Sequence, residues 1–227
     1  MTSIARNLEA VRGRIAAAAR KTGRDPALVK LVAVSKTVDL ERIKEARDAG
    51  QKIFGENYLQ EARGKIEALG EAASWHFIGH LQSNKAKAAV ALFELIHGVD
   101  SLKLARALDT AAAQAGKVQE ILIQVNLGGE ETKSGVPPDA APALLREIAR
   151  LPRLRVAGLM TMPPWFTDPE AVRPYFRGLR ELRERLLQLQ ICPLPELSMG
   201  MSGDFEAAIE EGATLVRIGT AIFGRRE

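Results

Sequence analysis

QEILIQVN, residues 119–126, is the clearest strand pattern in the chain and the point from which the fold can be predicted. Ile, Leu and Ile stand side by side at its centre, a short apolar run that is typical of a strand buried on both faces. Pro137, Pro138 and Asp139 then introduce a helical pattern that continues to Arg150. A second apolar run follows at residues 154–160. Strand, helix and strand in this order predict a βαβ unit with two parallel strands.

The same alternation extends over the whole chain. The first predicted strand is rich in β-branched residues, and the helix after it begins at Asp39 and ends before Gly50. The predicted strands are residues 28–34, 52–55, 75–78, 93–97, 119–126, 154–160, 196–199 and 215–218. Eight strands alternating with helices favour an α/β fold, a closed (β/α)8 TIM barrel, over an open doubly wound sheet. We expect residues 1–227 to form a single barrel domain.

An extra helix is expected before the first strand. Residues 3–20 carry arginines and few acids, a composition that transit peptides share. Apolar residues such as Ile4, Leu8 and Ile15 recur on one helical face. Glu9 and the scarcity of serine favour a plain amphipathic helix over a targeting segment.

Composition and charge narrow the class of protein. The 227 residues include 32 Lys and Arg against 28 Asp and Glu, a net charge of +4 that is too mild to indicate nucleic-acid binding. A hydrophobic content of 46% excludes a disordered chain. The longest apolar runs, such as residues 31–34 and 92–96, are too short to cross a membrane. Cys192 is the only cysteine, which excludes a disulfide framework within the chain. We expect a cytoplasmic protein that binds neither nucleic acid nor membranes.

The ends of the last two predicted strands point to a phosphate site. Active sites of such barrels lie at the carboxyl ends of the strands, and phosphate is often bound by the loops after strands seven and eight. Gly200, Ser202 and Gly203 follow strand seven, and Gly219 and Thr220 follow strand eight. Small residues let backbone N–H groups approach an anion closely. Ordinary loop glycines would look the same, but two such clusters at both expected positions favour phosphate binding.

Lys36 is the second residue that points to chemistry. It directly follows the first strand, on the same side as Val32 and Val34, so we expect it at the mouth of the barrel. A partly desolvated amine can form a Schiff base with a carbonyl compound. Together with a phosphate site, such a lysine suits pyridoxal 5′-phosphate (PLP) and equally suits an aldolase acting on a phosphorylated sugar.

Six longer strings carry a family resemblance. They are AVSKT (33–37), FGENY (54–58), WHFIGHLQSNK (75–85), GLMTMPP (158–164), SMGMSGDFEAAI (198–209) and VRIGTAIFG (216–224). In order and content they resemble the pyridoxal phosphate homeostasis protein family, whose fold is similar to the barrel domain of alanine racemase. The resemblance runs from about residue 28 to residue 224.

The resemblance implies a set of cofactor-binding residues. Lys36 would carry PLP as a covalent aldimine, and Arg217 would face the pyridine nitrogen. The residues implied to hold the phosphate or to pack around the ring are Ser202, Gly219, Thr220, Asn57, Met160, and Met199 or Met201. His80 and Asn84 belong to the matching strings, but no role follows for them. We expect no metal site, and we expect His76 and His97 to be core residues.

The resemblance also implies a function, a carrier or buffer of PLP that hands the cofactor to PLP-dependent apo-enzymes. The alternative is a weak amino-acid racemase or another PLP-dependent enzyme. A protonated arginine cannot favour a protonated pyridine nitrogen, which makes the ring a weaker electron sink. Neither Tyr58 nor Tyr175 is placed to supply a second base. We therefore expect the carrier role, in a monomer that lacks a second domain.

Overall fold

The computed structural model describes residues 2–130, 134–164, 166–168 and 170–224. Its strands are β1 (Lys30–Val34), β2 (Ile53–Glu56), β3 (Ser74–Phe77), β4 (Leu95–Val99), β5 (Gln119–Gln124), β6 (Leu154–Met160), β7 (Glu196–Ser198) and β8 (Leu215–Ile218). Each coincides with a predicted strand, and no boundary shifts by more than two residues. The apolar runs therefore located every strand of this part of the chain.

The strands form one closed barrel in sequence order. All neighbours are parallel, and β8 pairs with β1 to close the barrel, with Val32 opposite Arg217. The predicted TIM barrel is confirmed. Because parallel strands all end at the same rim, the residues that follow β1, β6, β7 and β8 meet around a single opening.

Helices surround the barrel and cover its outer face. They are α1 (Ser3–Lys21), α2 (Leu40–Asp48), α3 (Leu59–Leu69), α4 (Ala86–Leu92), α5 (Leu102–Gln114), α6 (Ala141–Ile148), α7 (Arg173–Leu187), α8 (Phe205–Glu210) and α9 (Thr220–Phe223). The expected N-terminal helix is α1, whose buried face carries Ile4, Leu8 and Ile15. Arg14 on α1 forms an ion pair with Glu206 on α8 over 2.6 Å. The extra N-terminal helix therefore packs beside α8, one of the last helices of the chain.

The barrel interior is apolar near the amino ends of the strands and polar toward their carboxyl ends. The apolar layer consists of Val32, Leu95, Leu122, Ala157 and Leu215, and Met160 packs against it from the carboxyl end of β6. His97 and Arg217 follow Leu95 and Leu215 by two residues on the same strands, and both are buried. Since side chains alternate along a strand, these two polar residues also face inward. The interior therefore places polar groups directly beneath the opening.

Two helices differ from the prediction. The sequence also predicts a long helix that starts at Asp168-Pro169 and ends near residue 190, but α7 begins only at Arg173, and Pro169 lies outside the described residues. The Asp168 carboxylate accepts the N–H of Glu170 over 2.9 Å, which forms a local turn instead of a helix start. Pro174 then occupies the first turn of α7, where a missing N–H costs no helical hydrogen bond. The short helix α9 was not predicted at all.

Candidate functional site

A cavity of about 490 Å³ opens at the carboxyl ends of the strands. Seven of the eight residues predicted to bind a cofactor line it: Lys36, Asn57, Met160, Ser202, Arg217, Gly219 and Thr220. They come from the ends of different strands, and closure of the barrel brings them together. The structure thus gathers nearly the whole predicted set around one space.

Lys36 reaches the cavity because of the geometry of β1. Val32 faces the barrel interior and Val34 lines the cavity, so the side-chain alternation carries Lys36 to the same opening. Ser35, between them, is fully buried on the outer side. Thr37 has a positive φ of 60°, an uncommon conformation for a residue with a branched side chain. The chain therefore turns sharply directly after the lysine.

The loops after β7 and β8 form a cradle of backbone N–H groups beside Lys36. The Ser202 hydroxyl oxygen accepts hydrogen bonds from the N–H groups of Gly219 (3.3 Å) and Ala221 (3.4 Å). We call these three residues the anion cradle, because two N–H donors at the start of α9 converge on an oxygen atom there. Gly219 has little spare space, since a Cβ at this position would lie 3.3 Å from the Val34 carbonyl oxygen. The cradle therefore borders β1, the strand that carries Lys36.

Arg217 forms the floor of the cavity and is almost fully buried. Its guanidinium donates to the Ser198 hydroxyl over 2.5 Å and to the Thr161 carbonyl oxygen over 3.0 Å. Burial lowers the pKa of Arg217 to about 10, which leaves the group protonated at neutral pH. A positive charge is therefore fixed at the base of the cavity.

Two buried histidines continue the polar chain beneath Arg217. The Ser198 hydroxyl lies 2.9 Å from Nδ1 of His97, and Nε2 of His97 lies 3.1 Å from Nδ1 of His76. Burial lowers the pKa of His76 to about 3 and that of His97 well below its usual range, so both are neutral. A continuous chain of polar contacts therefore runs from Arg217 through Ser198 and His97 to His76. The expectation of core histidines is confirmed.

Comparison with known proteins identifies relatives of this chain. The sequence profile of the alanine racemase N-terminal domain family matches residues 6–227. The pyridoxal phosphate homeostasis protein of Aquifex aeolicus is 49% identical over 97% of this chain and 97% of its own length. The protein of the same name from Pseudomonas aeruginosa is 47% identical over 100% of this chain and 97% of its own length.

The chain belongs to the pyridoxal phosphate homeostasis protein family. A solved structure agrees with this placement. PipY of Synechococcus elongatus PCC7942, determined with PLP bound, is 38% identical, with a TM-score of 0.87 over 97% of this chain and 100% of that one. The barrel and its similarity to the alanine racemase domain are thus supported both by the strand topology and by relatives of nearly equal length.

One of the eight predicted residues lies elsewhere in this family member. Met199 is fully buried in the hydrophobic core around the barrel, while Met201 lines the cavity. Ser198 faces inward, so its neighbour Met199 faces the surrounding helices. Gly200 then adopts a φ of 91°, and a Cβ there would lie 2.6 Å from the Cβ of Ala208. This glycine turn directs Met201 back to the opening.

The far wall of the cavity carries polar residues that were not predicted to act. Nδ1 of His80 lies 3.0 Å from the Ser134 hydroxyl, and the Gln124 side chain donates to the Ser134 carbonyl oxygen over 3.0 Å. All three line the cavity. His80 lies in the string WHFIGHLQSNK shortly after β3, and Gln124 is the last residue of β5, on the same side as Leu122. Their positions at strand ends could therefore have indicated that they lie at the opening of the barrel. Ser134 comes from a loop without such a pattern.

The described residues offer neither a metal site nor a membrane span. Within residues 2–130, 134–164, 166–168 and 170–224, no cluster of three or more His, Cys, Asp or Glu side chains could bind a metal ion. In the same part of the chain no helix is both long and apolar enough to cross a membrane.

Proposed function

We propose that this chain binds PLP reversibly through an aldimine on Lys36 and acts in PLP homeostasis as a carrier or buffer of the cofactor. One observation carries the proposal: the primary amine of Lys36 and the anion cradle line the same cavity, on the neighbouring strands β1 and β8. An aldehyde and a phosphate on one small molecule match these two features. The family relatives named for pyridoxal phosphate homeostasis support it.

The residues present fit this cofactor. Ser202 already places an oxygen atom against the N–H groups of Gly219 and Ala221, which is the chemistry that binds a phosphate oxygen. Arg217 supplies a fixed positive charge that suits an unprotonated pyridine nitrogen. Asn57 and Met160 line the space between them. The bound cofactor would supply a reactive aldehyde, and the protein residues bind and orient it.

The covalent step needs no further reactant. The lone pair of the neutral Lys36 amine would add to the aldehyde carbon, the carbonyl oxygen would leave as water together with the two amine hydrogens, and a carbon–nitrogen double bond would remain. Addition of water reverses the step and releases the free aldehyde. Since the bond is reversible, the same lysine can hold the cofactor and give it up.

Equilibrium binding with two ligands tests the proposal. Pyridoxine 5′-phosphate has an alcohol in place of the aldehyde, so it can fill the cavity but cannot form the imine. We expect Lys36→Met to weaken PLP binding by roughly 100-fold, about 2.7 kcal/mol, and to leave pyridoxine 5′-phosphate binding unchanged. Lys87→Met, at an exposed lysine of α4, is the matched control. Equal PLP affinity in the two variants would contradict the proposal.

A weak amino-acid racemase is the second candidate. The polar wall of His80, Gln124 and Ser134 favours it, because these side chains line part of the cavity separate from the anion cradle and could contact an amino acid. The protonated Arg217 opposes it, since it weakens the electron sink that proton removal needs. Steady interconversion of D- and L-amino acids, abolished by Lys36→Ala, would identify an enzyme. Transfer of PLP to an apo-enzyme without turnover would identify a carrier.

We place this activity in the cytoplasm, in a monomer whose residues 1–227 act as one domain and whose recipients are PLP-dependent apo-enzymes. The large exposed apolar side chains of the described residues come from five segments of the chain, which supports a monomer. They are Leu28, Tyr58, Val118, Met162, and the pair Leu187 and Leu189 at the end of α7. Light scattering on the purified chain tests the monomer, and a dimer at micromolar concentration would contradict it.

A further inference from the structure

A buried ionic cluster lies behind Lys36, on the outer side of β1 and β2. It consists of Ser35, Glu56, Glu61 and Lys65, and we call it the Lys65 cluster. Nζ of Lys65 donates to Oε1 of Glu56 over 2.8 Å and to Oε1 of Glu61 over 2.5 Å. The Ser35 hydroxyl donates to the same Glu56 oxygen over 2.7 Å. Ser35, Glu56 and Lys65 are all buried.

The cluster bonds to the backbone on both sides of Lys36. Lys65 also donates to the carbonyl oxygen of Ser35 over 2.6 Å, which belongs to the peptide group before Lys36. The N–H of Thr37, which belongs to the peptide group after Lys36, donates to Oε1 of Glu61 over 2.5 Å. Fixing both peptide groups fixes the direction in which the Cα–Cβ bond of Lys36 points.

The second of these bonds holds an unfavourable conformation. Thr37 has a φ of 60°, in the left-handed region that non-glycine residues occupy only at a cost. Such a conformation persists only where surrounding contacts determine it. The carboxylate of Glu61 provides that contact, and Lys65 holds the carboxylate in place.

Stability alone does not explain the cluster. Charged groups lose hydration when they are buried, and well-packed apolar side chains of similar volume often stabilise a fold as well or better. Burial accordingly raises the pKa of Glu56 in spite of its contact with Lys65. All three N–H donors of the Lys65 ammonium are used, one on each of three oxygens. Apolar residues could not replace the hydrogen bonds that the cluster forms with the peptide groups on both sides of Lys36.

We propose that Lys65 is a positioning residue that, through the Ser35 carbonyl and the Glu61 carboxylate, aims the Lys36 amine at the aldehyde of a ligand in the cavity. This inference rests on the proposed function, in which Lys36 forms the imine. Lys65 itself forms no bond to the ligand and exchanges no proton with it. Its effect is on the formation of the imine and leaves the fit of the ligand in the cavity unchanged.

Two variants remove the positioning contacts without leaving an unpaired buried charge. Glu61→Ala removes the acceptor of the Thr37 N–H and leaves Glu56 paired with Lys65. The double variant Lys65→Met/Glu56→Gln replaces the buried ion pair by neutral side chains of similar size. Lys44→Met, which breaks the exposed pair with Glu41 on α2, is the matched control. Melting temperatures show whether each variant is folded.

The readout is the affinity of each variant for PLP and for pyridoxine 5′-phosphate. We expect Glu61→Ala and the double variant to bind PLP about tenfold more weakly, with pyridoxine 5′-phosphate affinity within about twofold of the unmodified chain. Unchanged PLP affinity in folded Glu61→Ala would overturn the proposal, and so would equal loss of both ligands, which indicates a collapsed cavity. If the double variant does not fold, Glu61→Ala decides alone.

A third variant separates this inference from the proposed function. Lys36→Met with full PLP affinity would contradict the imine itself, and the positioning role would fail with it. Loss of PLP affinity in Lys36→Met combined with full affinity in Glu61→Ala would overturn only the role of the Lys65 cluster.

Discussion

The guanidinium of Arg217 donates a hydrogen bond to the Ser198 hydroxyl over 2.5 Å, inside the barrel and directly beneath the cavity. The Ser198 hydroxyl also lies 2.9 Å from Nδ1 of the neutral His97 imidazole, so Ser198 connects the charged group to His97. The orientation of the arginine is therefore set by a serine and by two histidines that do not line the cavity themselves.

Removing the serine hydroxyl is expected to destabilise the fold. Ser198→Ala removes the hydrogen bonds that the Ser198 hydroxyl forms with Arg217 and His97, and it leaves the bond from Arg217 to the Thr161 carbonyl oxygen in place. Because hydrogen bonds to buried charges are strong, we expect the free energy of unfolding to fall by about 2–3 kcal/mol. Urea unfolding measures this. Ser83→Ala, in the short half-buried turn before α4, serves as the control and should change it by less than about 0.5 kcal/mol. Equal effects of both substitutions would refute the role of Ser198.

The buried histidines predict a loss of stability in mild acid. Their pKa values are depressed in the folded chain, so below the ordinary value near 6.5 the unfolded chain binds more protons and the fold is weakened. From pH 7 to pH 5.5 the two groups should together lower the free energy of unfolding by about 2.5 kcal/mol. Lys30 and Arg217 are the charged groups that act on them most closely.

The matched comparison is the double variant His76→Gln/His97→Gln. Glu56 and Asp204, whose pKa values burial raises, change stability with pH in the opposite sense and are retained in both proteins. The quantity compared is the change in unfolding free energy between the two pH values. An equal change with and without the histidines would show that they do not control the acid response.

A substitution in the anion cradle is expected to change ligand affinity in a different pattern from a substitution of Lys36. Ser202→Ala removes the hydroxyl that lies against the N–H groups of Gly219 and Ala221. We expect PLP and pyridoxine 5′-phosphate to bind about tenfold more weakly, while binding of pyridoxal, which has no phosphate, stays unchanged. Equilibrium titration with the three ligands measures this. Weakened binding of pyridoxal would place Ser202 near the ring instead of the phosphate.

Two glycines predict opposite effects on stability. At Gly158 a Cβ would lie 1.9 Å from the Glu196 carbonyl oxygen of the paired strand, so Gly158→Ala must separate β6 from β7. We expect a loss of more than about 3 kcal/mol or failure to fold. At Gly64, on the exposed face of α3, an added Cβ would have no neighbouring atom within 4 Å outside the helix backbone. Gly64→Ala should therefore stabilise the fold by about 0.5–1 kcal/mol. Thermal unfolding of both variants tests the pair; a stable Gly158→Ala protein would contradict the close approach of these strands.

The strands and the main site residues could be predicted because their signals are local. A buried strand such as β5 is a continuous apolar run between turn residues, and the residue after each strand is read directly from the sequence. Lys36, Gly219 and Thr220 lie within two residues of the ends of their strands, so their place at the opening follows from the barrel alone.

The parts that were not predicted depend on tertiary structure. Alternation along β7 places Met199 toward the helices, but it would place Met201 there too; Met201 lines the cavity because of the turn at Gly200, which side-chain alternation does not indicate. The contact between His80 and Ser134 joins residues that are 54 positions apart. The Lys65 cluster was missed because nothing in the spacing of its residues indicates that they share a buried site behind a strand.

The most direct measurement of the central claim is the visible absorption spectrum of the purified protein mixed with PLP, before and after borohydride, followed by peptide mapping of the reduced adduct. We expect a yellow protein whose absorption is lost on reduction and whose adduct lies on Lys36. A protein that takes up no PLP, or that carries the adduct on another lysine while Lys36 stays unmodified, would contradict the assignment of Lys36 as the cofactor-binding residue.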